Sequence, residues 1–155
     1  AETASVRFVR RYDITPAELW EYVTAPQHLS VWITPGAELD GRVGGHVRFP
    51  WQHGPAMEGT VTQFDAPREL AYTWREGEAE SAVSMRLIPD GEGTLLIVEH
   101  TALPLRESRG FAAGWHSHLD WLVFAVTGRA RDFDERARFR ELALQYGYEL
   151  KKLAT

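Results

Sequence analysis

Arg109-Gly-Phe-Ala-Ala-Gly-Trp-His-Ser-His-Leu-Asp-Trp-Leu-Val-Phe-Ala-Val-Thr127 is the stretch on which the fold turns. At about 100° per residue, Phe111, Trp115, Leu119, Leu122 and Val126 fall within about 80° of one another, which is a helix with one strongly apolar stripe. His118 stands at the edge of that stripe. Trp121 and Phe124 lie on the other side, so the helix is apolar nearly all round and must be buried or clamped between two surfaces.

Upstream the period changes from helical to two. Ser5 to Ile14 sets Val6, Phe8, Tyr12 and Ile14 against Arg7, Arg11 and Asp13, with Arg10 out of pattern, and reads as a half-buried strand. Thr15-Pro16-Ala17-Glu18 then reads as a capping box with proline at the first helical position. Two short helices follow, the second over Gln27 to Trp32. The spacing predicts strands over Arg42–Phe49, Met57–Phe64, Leu70–Arg75, Ser81–Ile88 and Thr94–Thr101. Turns at Gln52–Pro55 and Ala66–Arg68, a loop at Gly77 and its acidic neighbours, and an Asp90-Gly91 hairpin separate them.

The expectation is one α+β domain over 1–155: about six antiparallel strands, curled around the 109–128 helix, the only segment long and apolar enough to cover a concave sheet. The core spans 5–128. A helical tail over 129–155 carries Phe139, Leu142, Tyr146, Leu150 and Leu153 along one side, expected to pack back on the domain or to serve a weak homodimer.

Composition removes several function classes. With 17 cations against 22 anions and no basic run, the chain lacks the footprint of nucleic-acid or anionic-membrane binding. It has no cysteine, hence no disulfide, thiolate nucleophile or cysteine-ligated metal among these residues. No apolar run approaches the ~18 residues of a membrane span, and Ala1-Glu2-Thr3 does not open a signal peptide, so a cytoplasmic protein is expected.

The motifs of catalysis are scarce. His116 and His118 lie about 200° apart on a helix and cannot share a metal; His46 and His53 lack a third ligand, and no metal or cofactor is expected. There is no GxSxG elbow and no phosphate loop, since Gly41-Arg42-Val43-Gly44-Gly45 leads into a strand. His100 and His118 read first as satisfied core histidines and only second as proton shuttles, so no catalytic residue is assigned.

Aromatic residues, at 12%, are the unusual feature. Phe49, Trp51, Tyr72, Trp74, Met57 and Met85 on or beside strands, and Trp32, Trp115, His118, Leu119 and Leu122 on helices, converge if the sheet curls, with His100 among them. Such a set either fills a core solidly or walls a cavity for a flat, apolar molecule.

Several of these stretches resemble a known family. Thr15–Trp20, Thr24–Trp32, Gly59–Val61 leading to Arg68–Trp74, Gly93–His100 and Gly110–Trp115 are similar, in order and spacing, to the chaperone-ATPase-activator-like (Aha-type) proteins of the START-like, or SRPBCC, superfamily. The resemblance covers about residues 5–128. It implies a helix-grip fold with a cavity between sheet and helix, and a hydrophobic ligand such as a lipid, polyketide or aromatic natural product. The charged tail from Asp132 departs from the pattern.

Three functions are then open. The first is a non-enzymatic binding protein, with Trp32 as gate and His118 orienting a ligand's hydroxyl or carbonyl. The second is a cyclase or dehydratase using His100 or His118 in the same cavity. The third is a co-chaperone-like interaction module, which requires an exposed apolar patch.

Overall fold

Local chemistry starts the chain as expected. In the computed structural model, which describes residues 2–77 and 79–128, β1 (Thr3–Tyr12) leads to helix α1 (Pro16–Thr24) through the capping box. Thr15 Oγ1 accepts from the Glu18 amide at 3.2 Å, and Glu18 Oε1 accepts from the Thr15 amide at 3.3 Å. Arg10, out of pattern in the sequence, lays its guanidinium 5.2 Å over the Phe8 ring and so covers the inner face of β1 with its stem. Helix α2 (Pro26–Trp32) follows at once.

The remaining strands are β2 (Glu38–Leu39), β3 (His46–Phe49), β4 (Met57–Asp65), β5 (Glu69–Glu76), β6 (Ala79–Asp90) and β7 (Gly93–Pro104). All pair antiparallel in one sheet of order β1-β7-β6-β5-β4-β3-β2. A 3-10 turn, Leu105–Glu107, feeds the 20-residue helix α3 (Ser108–Thr127). This is the helix-grip layout. The tail expected over 129–155 lies outside the described residues.

Two details differ from expectation. A seventh, two-residue strand, β2, closes the far edge against β3. The strand expected from Arg42 begins only at His46, because Asp40–Gly45 forms a tight turn in which Gly45 N–H donates to Arg42 O at 2.9 Å and Gly44 takes φ +87°. Val43, which fits the alternation by coincidence, is 64% exposed in that turn.

The core lies along the seam between the sheet's concave face and α3. Phe8 and Tyr12, Val98 and His100, Met85 and Val83, Tyr72 and Leu70, Met57 and Val61, and Phe49 point inward from successive strands. Leu119, Leu122 and Trp115 meet them from α3, while Trp121 is buried on the other side of the helix. The sheet is drawn tight at Gly59, where a β-carbon would stand 2.0 Å from the Thr73 carbonyl oxygen of β5.

That contact sets a stability test. Gly59→Ala should force β4 and β5 apart and cost about 3 kcal/mol, lowering the melting temperature by roughly 6–12 °C. Thermal denaturation followed by circular dichroism measures this, and an unchanged melting temperature would contradict the strand spacing.

Candidate ligand-binding site

Strand alternation builds one wall. Along β5, Leu70, Tyr72 and Trp74 project inward, and the same period carries Glu76 to the end of that row. Trp74 packs near Trp115 (5.8 Å), Phe111 (6.3 Å) and Trp51 (6.0 Å), the last from the loop after β3. Both Trp51 Nε1 and Trp74 Nε1 donate to Glu76 Oε1, at 2.7 and 3.2 Å. The carboxylate thereby fixes the two indoles. Burial pushes the Glu76 carboxyl above the ordinary range; the indole donors pull it back and the Glu107 charge adds to the rise.

A second polar group sits deeper. His100 is fully buried among Trp74, Phe111 and Trp115 rings. Trp115 Nε1–H donates to His100 Nδ1 at 3.0 Å, so the ring proton is on Nε2. Nε2–H then donates to Ser81 Oγ at 2.7 Å, and Ser81 Oγ–H donates to the Trp74 carbonyl at 3.3 Å. Every donor in this chain has one acceptor. Burial lowers the His100 pKa to about 4, which keeps the ring neutral. With both nitrogens spent, His100 is a tie between α3 and the sheet and is not placed to shuttle a proton.

The end of β7 is bent to make room. Between Ala4/Leu103 and Val6/His100 the β1–β7 register slips by one residue, and Ala102 takes φ +60°. Beyond the slip, β6 pairs only with β5, leaving Ala79 and Ser81 beside an opening. That opening is a cleft of about 570 Å³. Its walls are Trp51, His53, Gly54 and Pro55, Trp74 and Glu76, Ala79 and Ser81, Leu103 and Pro104, Glu107, and the α3 residues Gly110, Phe111, Gly114, Trp115 and His118. Gly110 and Gly114 are four apart on one helix face. Each costs the helix about 1 kcal/mol relative to alanine and leaves the cleft wider.

Four of the residues expected to bind a ligand, Trp51, Trp74, Trp115 and His118, line this cleft. The other eight, Trp32, Phe49, Met57, Tyr72, Met85, His100, Leu119 and Leu122, are no more than 2% exposed and pack the seam. Trp32 stands in the core, its Nε1 donating to the Tyr22 carbonyl at 2.7 Å, and not at a mouth. His118 Nδ1–H donates to the Trp32 carbonyl at 3.0 Å, which orients its ring 6.0 Å from that of Trp51. Glu76, Glu107 and the two helix glycines were not foreseen as lining; for Glu76 the signal was the period-two row itself.

Among the described residues no group of three His, Asp or Glu side chains is placed to hold a metal ion, and no helix is long and apolar enough to cross a membrane. The large apolar side chains exposed among the described residues, Val9, Val31, Val43, Leu105 and Val123, stand on four different elements and, for Val43, in the Asp40–Gly45 turn.

Comparison with known proteins places this geometry. Residues 13–127 match the family model described as "Activator of Hsp90 ATPase homolog 1-like protein". Among solved structures, CalU16 from Micromonospora echinospora is 26% identical, with a TM-score of 0.74 over 92% of this chain and 85% of that one. The protein encoded by gene BPP1335 from Bordetella parapertussis is 26% identical, with a TM-score of 0.75 over 92% and 84%. DynU16, described as a putative protein in the dynemicin biosynthetic locus, is 23% identical, with a TM-score of 0.71 over 81% of this chain and 48% of that one. No curated protein matches significantly.

The His100 tie has a pH signature. The unfolded ring takes its proton near 6.5 and the folded one near 4, so the unfolded state binds more protons between those values. The tie's contribution is complete above pH 6.5 and is lost as pH falls toward 4, by about 1.4 kcal/mol per unit. The stability advantage of the wild type over His100→Gln, from urea denaturation, should therefore shrink by about 3 kcal/mol between pH 7.5 and 4.5. An advantage constant over that range would mean the ring is not held neutral.

Proposed function

Since the chain belongs to the Activator of Hsp90 ATPase homolog 1-like family, we propose that it is a binding protein for a hydrophobic small molecule, a lipid, polyketide or aromatic natural product, held in the cleft beside α3. One observation carries this reading: three indoles, those of Trp51, Trp74 and Trp115, converge with Phe111 and His118 on a single opening of about 570 Å³. That volume is in the range of small-molecule sites, which are walled mainly by apolar and aromatic side chains with a few fixed polar groups. Flat rings gain most there, because aromatic pairs add stacking or edge contacts to the burial of area.

The wall is prearranged. Trp51 and Trp74 are fixed by Glu76, and Trp115 by His100, so a guest spends little energy ordering them. The likeness to DynU16 agrees with a natural-product setting, although at 23% identity it is a likeness of fold. A cyclase or dehydratase through His100 has less support, because both ring nitrogens are already bonded.

A panel of fatty acids, flavonoids and polyketide aromatics, titrated by tryptophan fluorescence and thermal shift, tests the reading. A binder at a hundred times its Kd should stabilise the fold by about 2.7 kcal/mol, which is roughly 5–10 °C. Gly114→Leu should abolish both signals while leaving the free protein at least as stable, since leucine favours the helix and fills the cleft. A panel without a single saturable binder, or a Gly114→Leu variant that binds as before, would overturn it.

A further inference from the structure

We propose that the cleft selects ligands that carry a protonated amine on an aromatic body. This rests on the cleft being a small-molecule site and names the chemistry it prefers. The lining contains two carboxylates, Glu76 and Glu107, and among the described residues no lysine or arginine. Glu76 is half-buried against tryptophan rings. Its Oε1 takes both indole donors, and among the described residues Oε2 has no hydrogen-bond partner. One oxygen of this half-buried carboxylate is thus open to a guest at the wall of the cleft.

The two acids also work against each other. The Glu107 charge makes ionisation of Glu76 harder. Arg106 Nε stands 4.0 Å from Glu107 Oε1, but that guanidinium is exposed to solvent and lies outside the lining, so it relieves the repulsion little. An ammonium group would satisfy this arrangement in two ways. It would donate to Glu76 Oε2 as a charge-assisted hydrogen bond, and it would sit near the faces of electron-rich indoles, which attract cations. An anionic guest would meet like charge in a site of low dielectric, where the penalty is greatest. The amino end of α3 does not reverse this, because Glu107 occupies its N-cap position and offsets the positive end of the helix. The remaining titratable groups of the lining are His53 and His118, and His118 Nδ1–H is already spent on the Trp32 carbonyl.

The test uses three probes of one shape at pH 8: 1-naphthylmethylamine, 1-naphthylmethanol and 1-naphthoate, titrated by calorimetry into the full chain. The amine should bind at least tenfold tighter than the alcohol, and the carboxylate weakest. Glu76→Gln keeps an oxygen for the indole donors. It should bring the amine to within about threefold of the alcohol, whatever the change in the alcohol's own affinity. Should that variant not fold, Glu107→Gln at the rim should narrow the same gap by several-fold. Raising salt should weaken the amine alone. If all three probes bind alike, or the carboxylate binds best, or neither variant narrows the gap, charge selection is overturned while the cleft stands as an apolar site. If none of the three binds, the cleft itself fails as a small-molecule site and the selection falls with it.

Discussion

A seven-stranded sheet that curls presents its concave face to water unless something fills the curve, and here the long helix α3 fills it. Trp115, Leu119 and Leu122 meet Phe49, Tyr72, Met85 and Val98 along that seam. Each large apolar side chain so buried contributes about 1.5–3 kcal/mol. The order of the chain serves this one contact. The capping box of α1 and the short α2 bring the chain back so that α2 and α3 pack together. The hairpins lay down strands whose inward rows alternate cleanly, and β7 delivers the chain to the start of α3. The Trp115–His100–Ser81–Trp74 hydrogen-bond chain ties the helix to β5, β6 and β7, and Tyr12 Oη donates to the Leu119 carbonyl at 3.4 Å from β1, so a mainly greasy seam carries directional contacts at two places.

The cleft exists because this cover is incomplete at one end. From Leu119 onward α3 offers bulk, whereas its first turns offer Gly110 and Gly114. Opposite those glycines the β1–β7 register slips, and Ala102 takes a left-handed conformation that an alanine tolerates at a cost of about 1 kcal/mol. Two glycines inside a helix and a strained alanine in a strand all reduce stability. All three border the same opening or the strand end that forms it. Space at this site is therefore maintained against the general preference of a core for close packing.

Much of the fold was legible in the sequence because its signals are local. Thr15 to Glu18 specifies a helix start through hydrogen bonds within four residues, and Asp90-Gly91 specifies a hairpin through its backbone freedom. The α3 stripe needed only its own spacing. Val43 misled because alternation cannot tell a strand from a turn of the same polarity when glycine can take a positive φ beside it. The site was harder to read. Hydrophobic pattern says which side chains face inward, not whether they meet a partner or a gap, so Trp74 and Tyr72 looked alike although only Trp74 lines the cleft. Beside Gly77 and other acids Glu76 has the local signature of a loop residue, yet the row Leu70, Tyr72, Trp74 carries it inward with the rings.

Charge is arranged by depth at this end of the seam. Behind the rings, burial keeps His100 neutral down to about pH 4, and the hydrogen-bond chain around it carries no net charge. In front of the rings stand Glu76 and Glu107. Were His100 protonated, its charge would lie directly behind Trp74 and Trp115 and would oppose the field of the acids at the surface those rings present to the cleft. Its low pKa removes that opposition throughout the neutral range. The same hydrogen bonds that lock the helix to the sheet thereby hold the electrostatic character of the opening constant, so that stability and recognition depend on one set of side chains.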